Sequence, residues 1–312
     1  MSKPRNIKPG AERARWQPDR VRTLSVPSDA PEGLTLLPYL LQAMPEIKRT
    51  NIKELLTHNQ VMADGVVSTR HDTPLKAGSE VRVNFTRPWR TFYHRRLKMV
   101  YEDDDIIVVN KGYGLLSMGT DRVKEGTTYS ILREWVKWSN PANKLFIVHR
   151  LDRDTSGLMM FAKNEKAKDA MQHNWNNMVL NRKYLAVVEG TPEQSEGVVR
   201  SYLLENSRYE VYSSAEPVEG AQLAVTRYRV LKSKNGYSLV ELELDTGRKN
   251  QIRVHMKDLG HPIAGDRKYG AKSSPIHRLA LHAQTLRFVH PVTRREMDFS
   301  TPVPASFAKM VN

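Results

Sequence analysis

The chain has 312 residues, 49 of them Lys or Arg and 34 Asp or Glu, for a net charge of +15; hydrophobic residues make up 39% and there is no cysteine. That length admits one large domain and a small one, and the missing cysteines exclude disulfides, thiol catalysis and thiolate metal sites. The positive surplus points to a polyanionic partner, most simply nucleic acid. A membrane surface is the rival polyanion, but no apolar run approaches the roughly 18 residues that span a bilayer.

Met1 to Arg22 holds seven Lys or Arg and two acids and lacks the apolar core of a secretory signal. Residues 1–23 read as a disordered basic arm, and the cytoplasm is the expected location. Residues 24–88 form a small α+β unit. Leu34, Leu37, Leu40 and Leu41 have helical spacing, with a start near Pro38. Asn51-x-x-Glu54 has the form of a capping box, opening a second helix through Ile52, Leu55 and Leu56. Asp64-Gly65 joins Val61-Met62-Ala63 to Val66-Val67 as a tight hairpin, Pro74 to Gly78 is a turn, and Glu80 to Phe85 alternates as a strand.

Arg87 to Lys98 carries five Arg or Lys and three aromatics, Trp89, Phe92 and Tyr93, with residues 89–98 as the linker. Interleaved basic and aromatic side chains suit RNA; a solvated linker whose aromatics dock on the next domain is equally open. The second domain covers residues 99–312. Ile106 to Val109 reads as a strand followed by the loop Asn110 to Gly114. Thr128 to Trp138 reads as a helix with Ile131, Leu132, Trp135 and Trp138 on one face.

Two apolar runs, Leu145 to Val148 and Leu158 to Phe161, flank the polar stretch His149-Arg150-Leu151-Asp152-Arg153-Asp154-Thr155-Ser156-Gly157. A loop braced by strands is a common place for catalytic groups. Asp-x-Asp-Thr-Ser-Gly is also good turn chemistry, and Asp154 belongs to the turn. A guanidinium next to Asp152, from Arg150 or Arg153, would keep that carboxylate ionised. Asn164 caps a helix through about Met178. Arg182 to Gly190 is a strand with Tyr184 near its start, read from the strand alone as a half-buried tyrosine. Asn235-Gly236 signals a hairpin. The next strand alternates Val240, Leu242 and Leu244 with Glu241 and Glu243, then runs into Asp245-Thr246-Gly247-Arg248-Lys249-Asn250-Gln251-Ile252-Arg253. Ile252, Met256 and Leu259 share one helical face and Gln251 and His255 another, with Arg253 off both. Strands at Thr285 to Val289 and Glu296 to Phe299 close the domain.

His-Arg-Leu-Asp-x-x-Thr-Ser-Gly resembles the signature of the RluA family of pseudouridine synthases. Further matches follow in order: the Tyr184 strand, the Thr246-Gly247-Arg248 to Arg253 segment, Gly265 to Gly270, and Arg278 to Ala283. Two departures stand out. Gly112 replaces the usual Pro of Lys-Pro-x-Gly, and Lys249-Asn250 replaces Thr-His before Gln-Ile-Arg. The resemblance implies that Asp152 is the catalytic carboxylate, that Arg253 pairs with it, and that Tyr184 lies against the target base. It implies that Arg150 fills the stack vacated by the flipped uridine, with Asn250, Arg248 and Leu281 also at the substrate. The first unit resembles the RNA-binding domain of ribosomal small-subunit protein four, which puts Arg49, Lys53 and His58 on an RNA face.

The expected fold is therefore α+β: a mixed, largely antiparallel central sheet with flanking helices, plus the small N-terminal unit. The implied reaction isomerises uridines in structured RNA without cofactor or metal. Ribosomal RNA is the favoured substrate, with transfer RNA open, and the protein is expected to act as a monomer with no obligatory protein partner. Three rival readings fit less well. His255 with His261, or His277 with His282, match no common metal-ligand spacing. Asp152 and Asp154, two apart in one loop, do not straddle a sugar as a glycosidase pair must. A non-catalytic RNA-binding or ribosome-assembly protein would share the charge and first domain, but would not be expected to keep Asp152, Tyr184 and Arg253 together.

Overall fold

The computed structural model describes residues 20–312; most of the expected basic arm lies outside them. The chain divides into two compact units, up to Phe92 and from Tyr93 onward.

In the first unit, β1 (Val21–Ser25), α1 (Leu36–Ala43), α2 (Arg49–Thr57), β2 (Val61–Ala63), β3 (Val66–Val67) and β4 (Glu80–Asn84) build a four-stranded sheet in the order β1, β4, β2, β3. Val21 to Thr23, counted with the arm from sequence, pair with β4 instead. Helix α1 begins two residues before Pro38, which sits in the first turn, where a backbone N–H has no intrahelical partner. The capping box is not formed: α2 begins at Arg49, so Asn51 and Glu54 lie inside it, and the N-cap residue Lys48 makes no side-chain cap bond. The Asp64-Gly65 turn does close the β2–β3 hairpin, with both residues at positive φ as a two-residue turn of this hand requires. Leu36, Leu40, Ile52, Val61, Val81 and Val83 are fully enclosed in one core.

The second unit runs β5 (Leu97–Glu102), β6 (Ile106–Lys111), α3 (Thr128–Ser139), β7 (Phe146–Ile147), β8 (Ser156–Ala162), α4 (Glu165–His173), α5 (Trp175–Met178), β9 (Val179–Glu189), β10 (Glu196–Glu205), β11 (Val211–Ser214), β12 (Gln222–Lys234), β13 (Tyr237–Leu244), α6 (Gln251–Asp258), β14 (Leu281–Val289), β15 (Glu296–Ser300) and α7 (Ala305–Met310). Its sheet has 11 strands, ordered β11-β10-β12-β13-β9-β14-β8-β6-β5, with β15 on β14 and β7 on β8. This is the mixed, largely antiparallel sheet expected: of its pairings, β14 with β8 is parallel. Among the described residues no helix is long and apolar enough to cross a membrane.

Two local readings change. The buried face of α3 is Thr128, Leu132 and Val136. Trp135 instead donates to Glu102 at 2.7 Å, and Trp138 is exposed. The helix capped by Asn164 stops at His173, and a second short helix, α5, carries the chain to Met178. The expected alternation of β13 holds, with Val240 and Leu242 buried and Glu241 and Glu243 partly exposed; Glu241 pairs with Lys183 and Arg229 at 3.2 and 2.8 Å.

The parallel β8–β14 pair organises the end of this sheet that carries the His149 to Gly157 loop. Gly157 faces Ala283 in that pair, at φ +120°; a Cβ there would stand 2.1 Å from the Ala283 carbonyl oxygen. Only glycine permits so close an approach of the two backbones. Ala283 in turn pairs with Tyr184, and Tyr184 with Leu242. The signature loop, the start of β14 and the middle of β9 are thereby held at one level of the sheet.

Candidate active site

The loop that carries Asp152 is held on three sides. The Ser117 hydroxyl donates to the Leu151 carbonyl at 2.6 Å and accepts from the Leu151 amide at 3.1 Å. The Thr155 amide donates to the carbonyl of Asp152 at 3.2 Å. Lys111, fully buried, donates to the carbonyls of Leu115 (2.8 Å), Arg153 (3.1 Å) and Gly112 (3.2 Å). Burial lowers its pKa to about 8, against the charges of Asp154 and Asp152. His149 is anchored as an acceptor: the Met160 amide donates to its Nε2 at 2.9 Å. Burial, then Arg182, hold the imidazole neutral with a pKa of about 3.

The expectation that a neighbouring loop arginine pairs with Asp152 does not hold. Arg153 turns outward to Asp154 at 3.1 Å, and Arg150 is exposed on the wall of the cavity. The ion-pair partner of Asp152 is Arg253 of α6, with Nη1 3.7 Å from Oδ2. Arg253 is itself fixed more tightly by Asp266, whose two oxygens accept from Nε and Nη2 at 2.7 Å each. It lies over the Tyr269 ring at 4.8 Å. Burial works against the guanidinium charge, but the bonds and charge of Asp266, with Asp152 behind them, raise its pKa above the ordinary value.

Asn250, at the left-handed N-cap of α6, closes this arrangement. Its Oδ1 accepts from Arg253 at 3.1 Å and its Nδ2 donates to the Tyr269 hydroxyl oxygen at 3.0 Å. The amide standing where a histidine is usual thus supports Arg253 from both of its polar atoms. Gln251, buried behind it, accepts from the Thr246 hydroxyl and the Arg248 amide and donates to Val225 and Thr226, which fixes the Thr-Gly-Arg turn. Arg248 donates through Nε to the Leu223 carbonyl at 3.0 Å.

These elements enclose a cavity of about 70 Å³ lined by Asp152, Arg150, Tyr184, Arg248, Asn250, Arg253 and Leu281, with Leu151, Thr155, Leu244, Gln251 and Ile252 completing it. All seven substrate and catalytic candidates from the sequence are brought together there. Tyr184 is 9% exposed; burial chiefly, with Asp152 adding and Arg182 opposing, raises its pKa and keeps the phenol protonated. Larger cavities open on either side, one of about 690 Å³ sharing Arg253 and one of about 390 Å³ sharing Arg150, Tyr184, Leu244 and Arg248. The cavity therefore offers a carboxylate, a fixed cation, a neutral phenol and an apolar wall, and Arg267, Lys268 and Arg278 line the larger cavity that shares Arg253.

Arg49, Lys53 and His58 do not take part in this site. They belong to the first unit, exposed on α2 and just past its end. Asp266, Tyr269, Lys111 and Ser117 were not singled out from sequence. Asp266 and Tyr269 lay inside the Gly265 to Gly270 match, but nothing in the string says that the carboxylate is aimed at Arg253. Three of the histidines considered as metal ligands make other bonds: His255 bonds Thr226 and Ser201, His261 the Glu189 carbonyl, and His282 Ser156 and Thr301. Among the described residues one cluster, Asp103, Asp105 and His290, groups three potential ligands. The Nδ1 of His290 accepts from the amides of Val292 and Thr293, so Nε2 carries the proton and donates to Asp103 at 3.0 Å. Asp103 also accepts from the Tyr101 hydroxyl and the Ile106 amide, and Asp105 accepts from Asn164.

A sequence profile of RNA pseudouridylate synthases matches residues 105–258. An uncharacterized RNA pseudouridine synthase of Synechocystis sp. is 32% identical over 289 residues, covering 89% of this chain and 88% of the relative. The chain belongs to the RNA pseudouridine synthase family. The synthase is also 32% identical over 280 residues to an uncharacterized RNA pseudouridine synthase of Bacillus subtilis, with 88% of this chain and 91% of that one covered. It is 29% identical over 309 residues to ribosomal large subunit pseudouridine synthase D of Escherichia coli K12, covering 94% of each. Among solved structures it is similar to human RNA pseudouridylate synthase domain containing 4, with a TM-score of 0.56 and 28% identity over 68% of this chain and 91% of that one. The synthase is accordingly an RNA-modifying isomerase of the RluA type.

Proposed function

We propose that the synthase isomerises specific uridines in structured RNA with Asp152 as the acting carboxylate, and that ribosomal RNA is its substrate in preference to transfer RNA. The observation that carries this reading is the convergence of Asp152, Arg253 and Tyr184 on one cavity. The reaction breaks the bond from ribose C1′ to uracil N1, turns the base and rejoins it through C5. The hydrogen on C5 leaves to solvent and N1 ends protonated, so atoms and electrons balance without redox or energy input. Asp152 serves the sugar and base, Arg253 holds it oriented, and Tyr184 packs against the uracil with its hydroxyl available to move a proton. The uridine must leave its stack, at a cost of a few kcal/mol, and exposed Arg150 fills the gap. Preference for ribosomal RNA draws on the relatives named for large-subunit modification.

The first unit is read as an RNA-binding domain of the ribosomal small-subunit protein four type. Arg49 and Lys53, four residues apart, stand exposed on one side of α2. We place the protein in the cytoplasm, acting as a monomer. The test is tritium release from RNA carrying uridine labelled at C5, taken from cells lacking the protein. The native chain should release tritium and Asp152→Asn should not, while RNA affinity stays nearly unchanged. Release by Asp152→Asn at the native rate would remove the role given to that carboxylate; tight binding with no release by the native chain would leave an RNA-binding protein.

A further inference from the structure

The cavity of about 390 Å³ beside the catalytic one is lined by His149, Trp175, Asn176, Arg182, Asp245 and Gly247, besides the residues it shares with the catalytic pocket. Inside it the guanidinium of Arg182 lies over the Trp175 ring, 5.7 Å from its centre. Trp175 also meets the His149 ring, tilted, with 5.0 Å between ring centres. The Arg182 guanidinium also lies against the backbone of Gly247, where a Cβ would come within 2.8 Å of Nη1. Among the described residues no ion pair to a carboxylate holds Arg182, and the acid lining the cavity, Asp245, is committed to Arg227 at 3.0 Å. Because His149 accepts at Nε2, its proton sits on Nδ1, a donor in a residue that lines the same cavity.

A planar cation backed by an indole, without an acid partner and next to a site that handles a flipped nucleotide, has the chemistry of a base platform. Guanidinium planes stack on nucleobases as aromatic rings do. We propose that Arg182, backed by Trp175, forms a second nucleotide subsite on which the base neighbouring the target uridine in the RNA strand stacks. The subsite rests on the reaction assigned above and extends it: besides accepting the target, the synthase engages one adjacent nucleotide, and the identity of that neighbour contributes to site choice. The glycine at position 247 keeps the platform in place, since any side chain there would push the guanidinium off its shelf.

The test uses the full chain and the shortest C5-tritiated transcript from which the native protein releases tritium, alongside two versions with an abasic nucleotide on the 5′ or the 3′ side of the target. Loss of one base–platform stack is worth about 5- to 100-fold. The native protein should lose that much in kcat/KM, chiefly through KM, with one of the two abasic transcripts. Arg182→Gln and Arg182→Lys should lose a similar factor on the intact transcript and nothing further on the abasic one, because lysine keeps the charge without the plane. Trp175→Phe, which retains an aromatic backing, should stay within about threefold of native. Full activity in Arg182→Lys, or an abasic penalty of equal size in the native protein and Arg182→Gln, would overturn the subsite. If the native protein releases no tritium from any RNA, the reaction assignment fails. The subsite is then judged on Kd for the transcript with the best affinity and its abasic copies, with the same expected pattern.

Discussion

The guanidinium of Arg253 stands 3.7 Å from the carboxylate of Asp152 while Asp266 grips it from behind at 2.7 Å. Asp152 lines the cavity of about 70 Å³, and the Asp266 side chain is almost fully buried. Arg253 is thus held by a second carboxylate, which fixes the cation while leaving the Asp152 oxygens accessible.

Asp266→Ala removes that grip and leaves a guanidinium in a largely buried place. A broken buried pair costs about 3–5 kcal/mol, and misplacement of Arg253 should lower kcat by about 100-fold. Urea unfolding and tritium release measure the two effects separately. Native stability in the variant would mean that Arg253 finds another partner.

Lys111 titrates from about 8 in the folded chain against 10.5 when free. Between those values the unfolded chain holds the extra proton, so stability rises with pH from about 8 upward, and below 8 the full cost of the buried charge is carried. Denaturant midpoints at pH 7.5 and 9 should differ in that direction. In Lys111→Met the difference should vanish, and kcat should fall about 10- to 100-fold as the signature loop loses its anchor. An unchanged pH difference in the variant would assign it to other groups.

His255 and His282 are buried, with pKa values lowered to about 4 mainly by burial. A base whose folded pKa lies below its ordinary 6.5 costs stability as pH falls from 6.5 through 4. Each should account for on the order of 1–3 kcal/mol lost across that window. His255→Gln should flatten part of the acid limb of an unfolding curve, and a limb of the same steepness would count against it.

Gly157→Ala should be among the most damaging single changes, above about 4 kcal/mol. The added carbon meets the Ala283 backbone, which cannot yield without parting β8 from β14. Gly236 also lies at positive φ, +76°, but has nothing within 4 Å of a built Cβ, and Gly236→Ala should cost about 1 kcal/mol. Equal losses at the two positions, read from urea midpoints, would mean that conformational strain alone sets the cost.

In Arg49→Gln with Lys53→Gln, the salt slope of RNA binding should fall by about two phosphate contacts, with turnover at saturating RNA unchanged. Identical slopes in filter binding between 50 and 200 mM salt, a span on the scale of about 10³-fold affinity loss for a multi-contact protein, would exclude those side chains from the RNA face.

Much of this protein was legible before folding was considered. Turn dipeptides such as Asp64-Gly65 and Asn235-Gly236 carry their backbone preference locally, and the apolar runs at Ile106 and Leu158 could only be interior strands. Asp152, Tyr184 and Arg253 were each marked by residue type and motif. Sequence neighbours misled wherever the deciding contact was distant: Arg150 and Arg153 flank Asp152 in the chain, yet its partner comes from α6, about a hundred residues on. The capping box at Asn51 and the α3 face failed for the same reason, since burial against other elements outweighs local signals. Asp266 behind Arg253, Lys111 beneath the loop and Gly247 against Arg182 exist only because the fold brings remote segments together, whereas Trp175 and Arg182 are near neighbours in the chain, on α5 and the strand that follows it. Local sequence determines which groups are present and which turns they favour; the free energy of packing strands side by side decides which of them meet.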